Sequence, residues 1–287
     1  MNALPQDFGA PRPAPAAAPM APAFAFDADD FARVRELIHR RAGISLGDGK
    51  QALVYSRLAR RLRDTGQTSF AGYLRWLDAA SGDAAAAEWQ RFVNALTTNL
   101  TSFFRERHHF EALAAELARR DAPLGVWCAA ASTGEEPYSI AMTCAEAGRG
   151  EVDIVASDID TEVLAVAVRG IYPASAGGLS PERLRRHFLR GSGANAGFVR
   201  VQPALAARVG FRRFNLAGER PFGGAGFDIV FCRNVMIYFD APTQRRVLAR
   251  LHAAMRPGGV LFVGHSESFA DVKSLFRLRG KTTYERV

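Results

Sequence analysis

Val126-Trp127-Cys128-Ala129-Ala130-Ala131-Ser132-Thr133-Gly134-Glu135-Glu136-Pro137-Tyr138-Ser139-Ile140-Ala141 is the stretch whose reading decides the fold. It starts as an apolar strand, passes through a loop of small residues, and predicts a helix beginning near Pro137. Proline is favoured at the first helical position because its missing N–H would have no partner there. Ala129 to Gly134 carry little side-chain bulk, so a ligand can approach the backbone at the carboxyl end of the strand. That is where open α/β sheets bind nucleotides and nucleotide-like cofactors. Two carboxylates and no lysine make the loop a poor phosphate cradle. It suits a cofactor with an adenosine-like part and a positive charge.

Further apolar runs follow the same theme at Val152–Ala156, Ile229–Cys232 and Val260–Val263. Helical patterns near Phe110–Arg119, Pro137–Ala147, Glu162–Val168 and Ala241–Met255 separate them. Alternating strand and helix predict an α/β fold, a doubly wound and mostly parallel sheet covered on both faces. Met255-Arg256-Pro257-Gly258-Gly259 reads as a helix stop before the strand Val260–Val263. An insert lies between the second strand and Phe211. It predicts a short helix with Ser180 as cap and Pro181 first, then a glycine-rich turn at Gly191–Gly197 before Phe198-Val199-Arg200-Val201. These glycines precede a strand instead of joining a strand to a helix, so a hairpin is the better reading than a dinucleotide fingerprint.

Upstream, Asp27 to about Asn99 is helical in period and shows no strand. Phe31, Val34, Leu37 and Ile38 share one face. Residues 1–26 are Pro/Ala-rich and read as a disordered tail. The expected organisation is therefore a tail over 1–26, a helical domain over 27–99, and an α/β domain over 100–287 with an inserted subdomain at about 171–210.

The chain has 287 residues, 48% of them hydrophobic and 23% charged, which is ordinary globular composition. Cys128, Cys144 and Cys232 have no metal-ligand spacing and read as reduced core residues of a cytoplasmic protein. No run approaches the roughly 18 apolar residues of a membrane span, and no signal-peptide pattern opens the sequence. The net charge of +8 favours an acidic partner.

Asp158 ends the second strand, where an acid in nucleotide-binding α/β folds bonds ribose hydroxyls. The alternative is a helix cap, but Asp160 fits that role better and leaves Asp158 free. Asn234 offers a donor and an acceptor where Phe231-Cys232 stops, with a turn asparagine as the plain alternative. In the linker Asn94–Arg105, apolar anchors hold polar Thr and Asn against the crevice and Arg105 follows two phenylalanines. Alone it would read as a surface arginine. On Lys50–Arg63, the residues Lys50, Arg57, Arg60 and Arg61 fall within about a third of the helix circumference. Such a run is often a solvated face, but the near absence of acids favours a negatively charged partner. His108-His109 are expected to point apart and to make no metal arm. Gly264-His265-Ser266-Glu267-Ser268 lacks the final glycine of a nucleophile elbow.

Together, Asn94–Arg105, Ser132–Ser139, Ala156-Ser157-Asp158-Ile159-Asp160 and Cys232–Asp240 resemble the chemotaxis receptor methyltransferases, and the likeness spans about residues 28–285. These enzymes transfer methyl groups from S-adenosylmethionine to receptor glutamates, releasing S-adenosylhomocysteine. The resemblance implies a helical N-terminal domain joined to a class I methyltransferase (Rossmann-like) sheet with a small antiparallel β-subdomain. It implies cofactor contacts from Asn99, Thr101, Arg105, Glu136, Asp158, Asn215, Leu216, Asn234 and Val235. It implies a receptor-facing basic helix, matched by Lys50, Arg57, Arg60 and Arg61, and a monomer. In some members the β-subdomain grips a tether at the receptor C-terminus, and the Gly191–Val201 turn looks like that type.

A glutamate with a pKa near 4.3 is already ionised at neutral pH, so methylation needs no general base. Arg105 is expected to orient the target carboxylate or the cofactor's carboxylate, Tyr238 to donate a hydrogen bond near the reacting centre, and Glu136 to meet the cofactor's ammonium group. Two rival functions stay open at this point. A nucleic-acid methyltransferase fits the charge, although Asn234-Val235-Met236-Ile237-Tyr238 lacks the prolines of base-amine enzymes and the basic helix lacks exposed aromatics. A catalytically silent adaptor of the same fold is the other.

Overall fold

The computed structural model describes residues 24–120, 124–223, 226–267, 269 and 274–287. Its first helix, α1 (Ala28–Ala42), buries Phe31, Val34, Leu37 and Ile38, as their spacing requires. Asp27 and Asp30 cap it reciprocally, which satisfies donors that any helix start leaves open. Helices α2 (Gln51–Asp64), α3 (Phe70–Ala79) and α4 (Gly82–Leu96) close around the same core, with Leu58, Phe70, Tyr73 and Phe92 at its centre. The tail expected over 1–26 lies, up to residue 23, outside the described residues. Phe24 and Phe26 are packed: their rings meet Phe70 at 6.4 and 4.4 Å.

Beyond the linker come α5 (His108–Ala118), β1 (Gly125–Cys128), α6 (Glu135–Glu146), β2 (Asp153–Asp158) and α7 (Thr161–Arg169). The insert contributes β3 (Ile171–Pro173), α8 (Pro181–His187), β4 (Phe188–Arg190), β5 (Phe198–Val201) and the short α9 (Pro203–Ala206). The main sheet resumes with β6 (Val209–Arg213), β7 (Phe227–Cys232), α10 (Ala241–Ala254), β8 (Met255–Val263), β9 (Phe276–Gly280) and β10 (Thr283–Arg286).

The main sheet runs β6-β2-β1-β7-β8-β10-β9. Its first five strands are parallel, and β10 and β9 add antiparallel. Every residue of β7 is buried, the pattern of a central parallel strand covered on both faces. One face packs Leu113, Tyr138 and Ile140, and the other packs Val247, Leu248 and Leu251 of α10. The insert forms a separate antiparallel sheet ordered β3-β5-β4. Its glycines make the turn between β4 and β5, and Ser180 caps α8 by accepting from the Arg183 N–H, both as expected.

Two local expectations are corrected. Helix α6 starts at Glu135, with Gly134 as N-cap at φ 100°, so Pro137 sits third in the helix and not first. Proline is accommodated there because the first four N–H groups of a helix all lack intrahelical partners. Helix α10 stops at Ala254, and Met255 already pairs with Phe227. Residues 255–259 are thus the opening of a strand whose register shifts between Phe227 and Ile229, not a loop before it.

The helical region docks where it can shape a site. Gly43, at φ 71°, ends α1 so close to the sheet domain that a Cβ there would lie 2.5 Å from the Ala217 Cβ. The Ser45 N–H donates to the Tyr238 carbonyl at 2.8 Å, and Ile44 bridges Phe239.

Candidate active site

The carboxyl ends of β1, β2, β6 and β7 open into one cleft, roofed by Ala42, Ile44 and the linker 96–101. Asn99, Thr101, Arg105, Glu136, Asp158, Asn215, Leu216, Asn234, Val235 and Tyr238 all line it. Residues that span nearly 140 positions converge because each follows a parallel strand, or belongs to the linker laid across the strand ends.

Asp158 is not a cap. Its Oδ2 accepts the Ser132 N–H at 2.8 Å and its Oδ1 accepts the Asp160 N–H at 3.0 Å. Burial pushes its pKa up and these backbone donors oppose that rise. A carboxylate oxygen has more than one lone pair, so each oxygen keeps capacity for a hydroxyl donor from the cleft. Asp160 carries the cap, accepting from the Glu162 and Val163 N–H groups. It also fastens the linker, accepting from Thr97 Oγ1 at 2.6 Å and Asn99 Nδ2 at 2.8 Å.

The linker is anchored as its apolar residues predict. Phe103 packs edge-on against Tyr172 and Phe188, and the Phe104 N–H donates to Ser139 Oγ at 3.0 Å. Arg105 is partly exposed, and its Nη1 donates to the Leu100 carbonyl at 2.7 Å. The residues on either side, Phe104 and Glu106, have φ of 52° and 58°. Left-handed backbone at two non-glycine residues costs energy and persists only where the surroundings fix it.

What fixes it is Arg233, the residue that sequence reasoning missed. Its side chain is fully buried in the cleft wall. It donates to Glu136 Oε2 at 2.6 Å and to the Arg105 carbonyl at 2.5 Å, and lies 3.2 Å from Glu106 Oε2. Among the described residues its Nε has no hydrogen-bond partner. Burial raises the pKa of Glu136 against the opposing pull of Arg233. At Glu106 burial works in the same sense, but the Arg233 charge and donors from Asn234 and Arg233 outweigh it and hold that pKa below the ordinary value. Glu136 was expected to be open to the cleft. It lines the cleft, but one oxygen is held by Arg233 and the other accepts from the Cys128 thiol at 3.3 Å. The available signal was an arginine directly after a fully buried strand, which demands carboxylate partners.

Asn234 stands at φ 56°, with its Nδ2 donating to Glu106 Oε1 at 3.2 Å and its N–H to Glu267 Oε2 at 3.0 Å. His108 and His109 do not point apart: their ring centroids lie 4.1 Å apart with the planes tilted by 46°, and with Glu106 their ligand atoms lie within 4.8 Å of one another. The neighbouring Arg233 already neutralises Glu106, and His109 Nε2 is 2.6 Å from Thr282 Oγ1. The motif Gly264–Ser268 ends on a residue outside those described. Glu267 within it serves the Asn234, Met236 and Gly264 N–H groups.

The basic stripe on α2 is broken. Lys50 and Arg60 are exposed, and Arg57 donates to the Thr97 carbonyl at 2.6 Å. Arg61 turns inward and binds the buried Glu88 of α4 with both Nε and Nη2, at 2.9 and 2.6 Å. Its Nη1 also meets Asp64 at the end of α2 at 2.7 Å, but the buried acid that turns it inward comes from another helix, out of reach of any pattern on α2.

Two family models cover almost all of this architecture. "CheR methyltransferase, all-alpha domain" matches residues 29–97, and "CheR methyltransferase, SAM binding domain" matches residues 99–285. The chain belongs to the CheR methyltransferase family. It is 50% identical to the chemotaxis protein methyltransferase of Escherichia coli (strain K12) over 258 residues, 88% of this chain and 89% of that one. It is 53% identical to chemotaxis protein methyltransferase 2 of Pseudomonas aeruginosa over 271 residues, 91% of this chain and 94% of that one. Among solved structures it is similar to a glycopeptide N-methyltransferase complexed with S-adenosyl-L-methionine, at TM-score 0.32 and 18% identity, over 52% of this chain and 51% of that one.

The molecule is thus an S-adenosylmethionine-dependent methyltransferase of chemotaxis, and its donor set suits that cofactor. The cleft offers a carboxylate at the end of β2, apolar walls from Ile159, Phe214 and Leu216, and, among its described lining residues, no lysine. Among the described residues, no helix is long and apolar enough to cross a membrane.

Proposed function

We propose that this methyltransferase esterifies glutamate side chains in the cytoplasmic helices of chemoreceptors. One observation carries the reading: among its described residues the cleft holds no side chain set up as a dedicated general base, the remaining acceptor capacity of Asp158 being assigned to the ribose hydroxyls. Among its described lining residues there is no histidine or lysine, Glu136 is held by Arg233 and Cys128, and Asp158 holds two backbone N–H groups. Such a site suits a nucleophile that arrives already ionised, and a glutamate does so at neutral pH.

The cofactor supplies an electrophilic methyl group when bound. The chain's own residues bind, orient and exclude water. Asp158 is assigned to the ribose hydroxyls, Asn215 and Leu216 to the adenine end, and Asn99, Thr101, Glu136, Asn234 and Val235 to the remainder of the cofactor. Arg105 has one Nη1 contact, to Leu100, and keeps its other N–H donors for a carboxylate at the cleft mouth. Tyr238 lines the same mouth and is assigned a hydrogen bond near the reacting centre. Holding reactants in register supplies about 7–11 kcal/mol in favourable models, enough to make positioning the main catalytic device.

Lys50, Arg57 and Arg60 are assigned to the acidic receptor helix, with Arg61 and its partner Glu88 supporting α2 from beneath. The receptor's C-terminal tether is assigned to the inserted sheet. Supporting this, β4 pairs only with β5, so its outer edge is open for an added strand, and Arg185 and Arg190 flank the cleft beside it. Offering labelled cofactor with receptor cytoplasmic fragments, DNA and RNA tests the proposal. Label must enter the receptor fragment; label confined to nucleic acid, or none at all, overturns it.

A further inference from the structure

We propose that a second cleft, between the end of α1, helix α4 and the end of β6, binds a small phosphorylated molecule. The cleft has a volume of about 200 Å³ and shares Ile159 and Asn215 with the cofactor cleft on the other side of the β2 and β6 ends. Two arginines face it, Arg41 from the last turn of α1 and Arg213 from the last position of β6. Burial and the nearby Arg41 charge both lower the Arg213 pKa, so the two guanidinium groups feel each other. Among the described residues neither side chain has a carboxylate partner, and no acid lines the cleft.

Both side chains are exposed, so solvent screens their mutual repulsion, and a dianion between them engages both guanidinium groups at once. A guanidinium fork pairs bidentately with carboxylate or phosphate, but a phosphate's second charge and third oxygen let it bridge two arginines at once. The rest of the lining sets what else the ligand carries. Trp89, over which Arg41 stacks at 4.8 Å, forms an apolar floor with Val93. Gln90 gives its Nε2 to the Ile159 carbonyl and to Asn94 Oδ1, which fixes the wall on that side. A neighbouring, wider cleft of about 470 Å³ shares Arg41, Ala86 and Trp89 with it. Asp78 lies in that wider part, tied to Arg33 and Arg40, so the negative end belongs at Arg41 and Arg213.

This site does not depend on which acceptor is methylated, so its test needs no methyl transfer. Inorganic pyrophosphate is titrated calorimetrically into the full chain at constant ionic strength, with S-adenosylhomocysteine saturating. One saturable site is expected, weakened about tenfold or more by Arg41→Gln and by Arg213→Gln, since charge-assisted hydrogen bonds of this kind are worth about 1.5–3 kcal/mol. Both variants must still bind S-adenosylhomocysteine, which shows that they fold. Absence of a saturable site, binding that both substitutions leave unchanged, or binding seen only when S-adenosylhomocysteine is omitted would each overturn the proposal, the last because the probe then occupies the cofactor cleft.

Discussion

Arg233 Nη1 lies 2.6 Å from Glu136 Oε2, and both side chains are withdrawn from solvent. The same guanidinium reaches Glu106 and the Arg105 carbonyl, so one buried cation joins β7, α6 and the strained linker. The cleft wall and the presentation of Arg105 therefore depend on a residue whose side chain is turned away from solvent.

Removing that cation leaves buried carboxylates without a partner. Arg233→Met is expected to cost about 3–5 kcal/mol of stability, the usual penalty for breaking a buried pair from one side. Arg233→Lys should recover little of it, because a point charge on a flexible stem cannot serve three acceptors in fixed directions. Urea unfolding of both variants checks this, and a midpoint unchanged from wild type would contradict it.

Arg105 is partly exposed and its one side-chain contact is local, so Arg105→Ala is expected to leave the melting midpoint nearly unchanged. Turnover should fall on the order of a hundredfold, the scale of a misplaced reactant. Kinetics of methyl transfer alongside a thermal melt separate the two effects.

Asp158→Asn keeps the shape but loses the charge and one of the two acceptor oxygens. Cofactor affinity is expected to drop about tenfold, as a charge-assisted hydrogen bond becomes a neutral one. Calorimetry with S-adenosylhomocysteine reads this directly.

Much of this was legible because it is local. The Val126–Ala141 segment, the Asp160 cap, the Ser180 cap and the amphipathic face of α1 each declare themselves within a dozen residues. The convergence of Asp158 and Asn234 followed from the rule that parallel strands end on one side, and Asn215 came only with the family resemblance. What stayed hidden depends on partners distant in sequence. Arg233 has meaning only with Glu106 and Glu136, which no spacing links to it. Arg61 looked like part of a free stripe because Glu88 comes from α4. Strands β9 and β10 escaped notice because Phe276-Arg277-Leu278-Arg279-Gly280 buries only its first residue and is held at the sheet edge by backbone pairing.

The two faces of α2 should respond differently to mutation. Arg60→Glu is expected to leave stability unchanged and raise KM for a receptor fragment, more so at low salt, where surface charges are screened least. Arg61→Ala should instead destabilise, because Glu88 is buried and loses its main ionic partner. Paired denaturation and KM measurements decide; the opposite assignment would mean that Arg61, not Arg60, meets the receptor.

His109 gives a pH dependence of defined sign. Burial, then the charges of Arg233 and His108, push its pKa down to about 3. Near neutral pH both folded and unfolded chains hold it neutral. As pH falls below about 6.5 the unfolded chain takes up a proton that the folded one refuses, so stability declines until about pH 3, where the loss is complete. His109→Gln, which removes this titration, should show a shallower decline across that window in urea unfolding at stepped pH.

The central claim is that the acceptor is an ionised carboxylate, and the bond that forms tests it most directly. After incubation of a receptor cytoplasmic fragment with methyl-labelled S-adenosylmethionine, the fragment is treated with mild base. The account predicts that the label leaves as volatile methanol, since carboxyl methyl esters hydrolyse under those conditions. Label that stays on the receptor through base treatment would mean a nitrogen or other stable linkage and would contradict it.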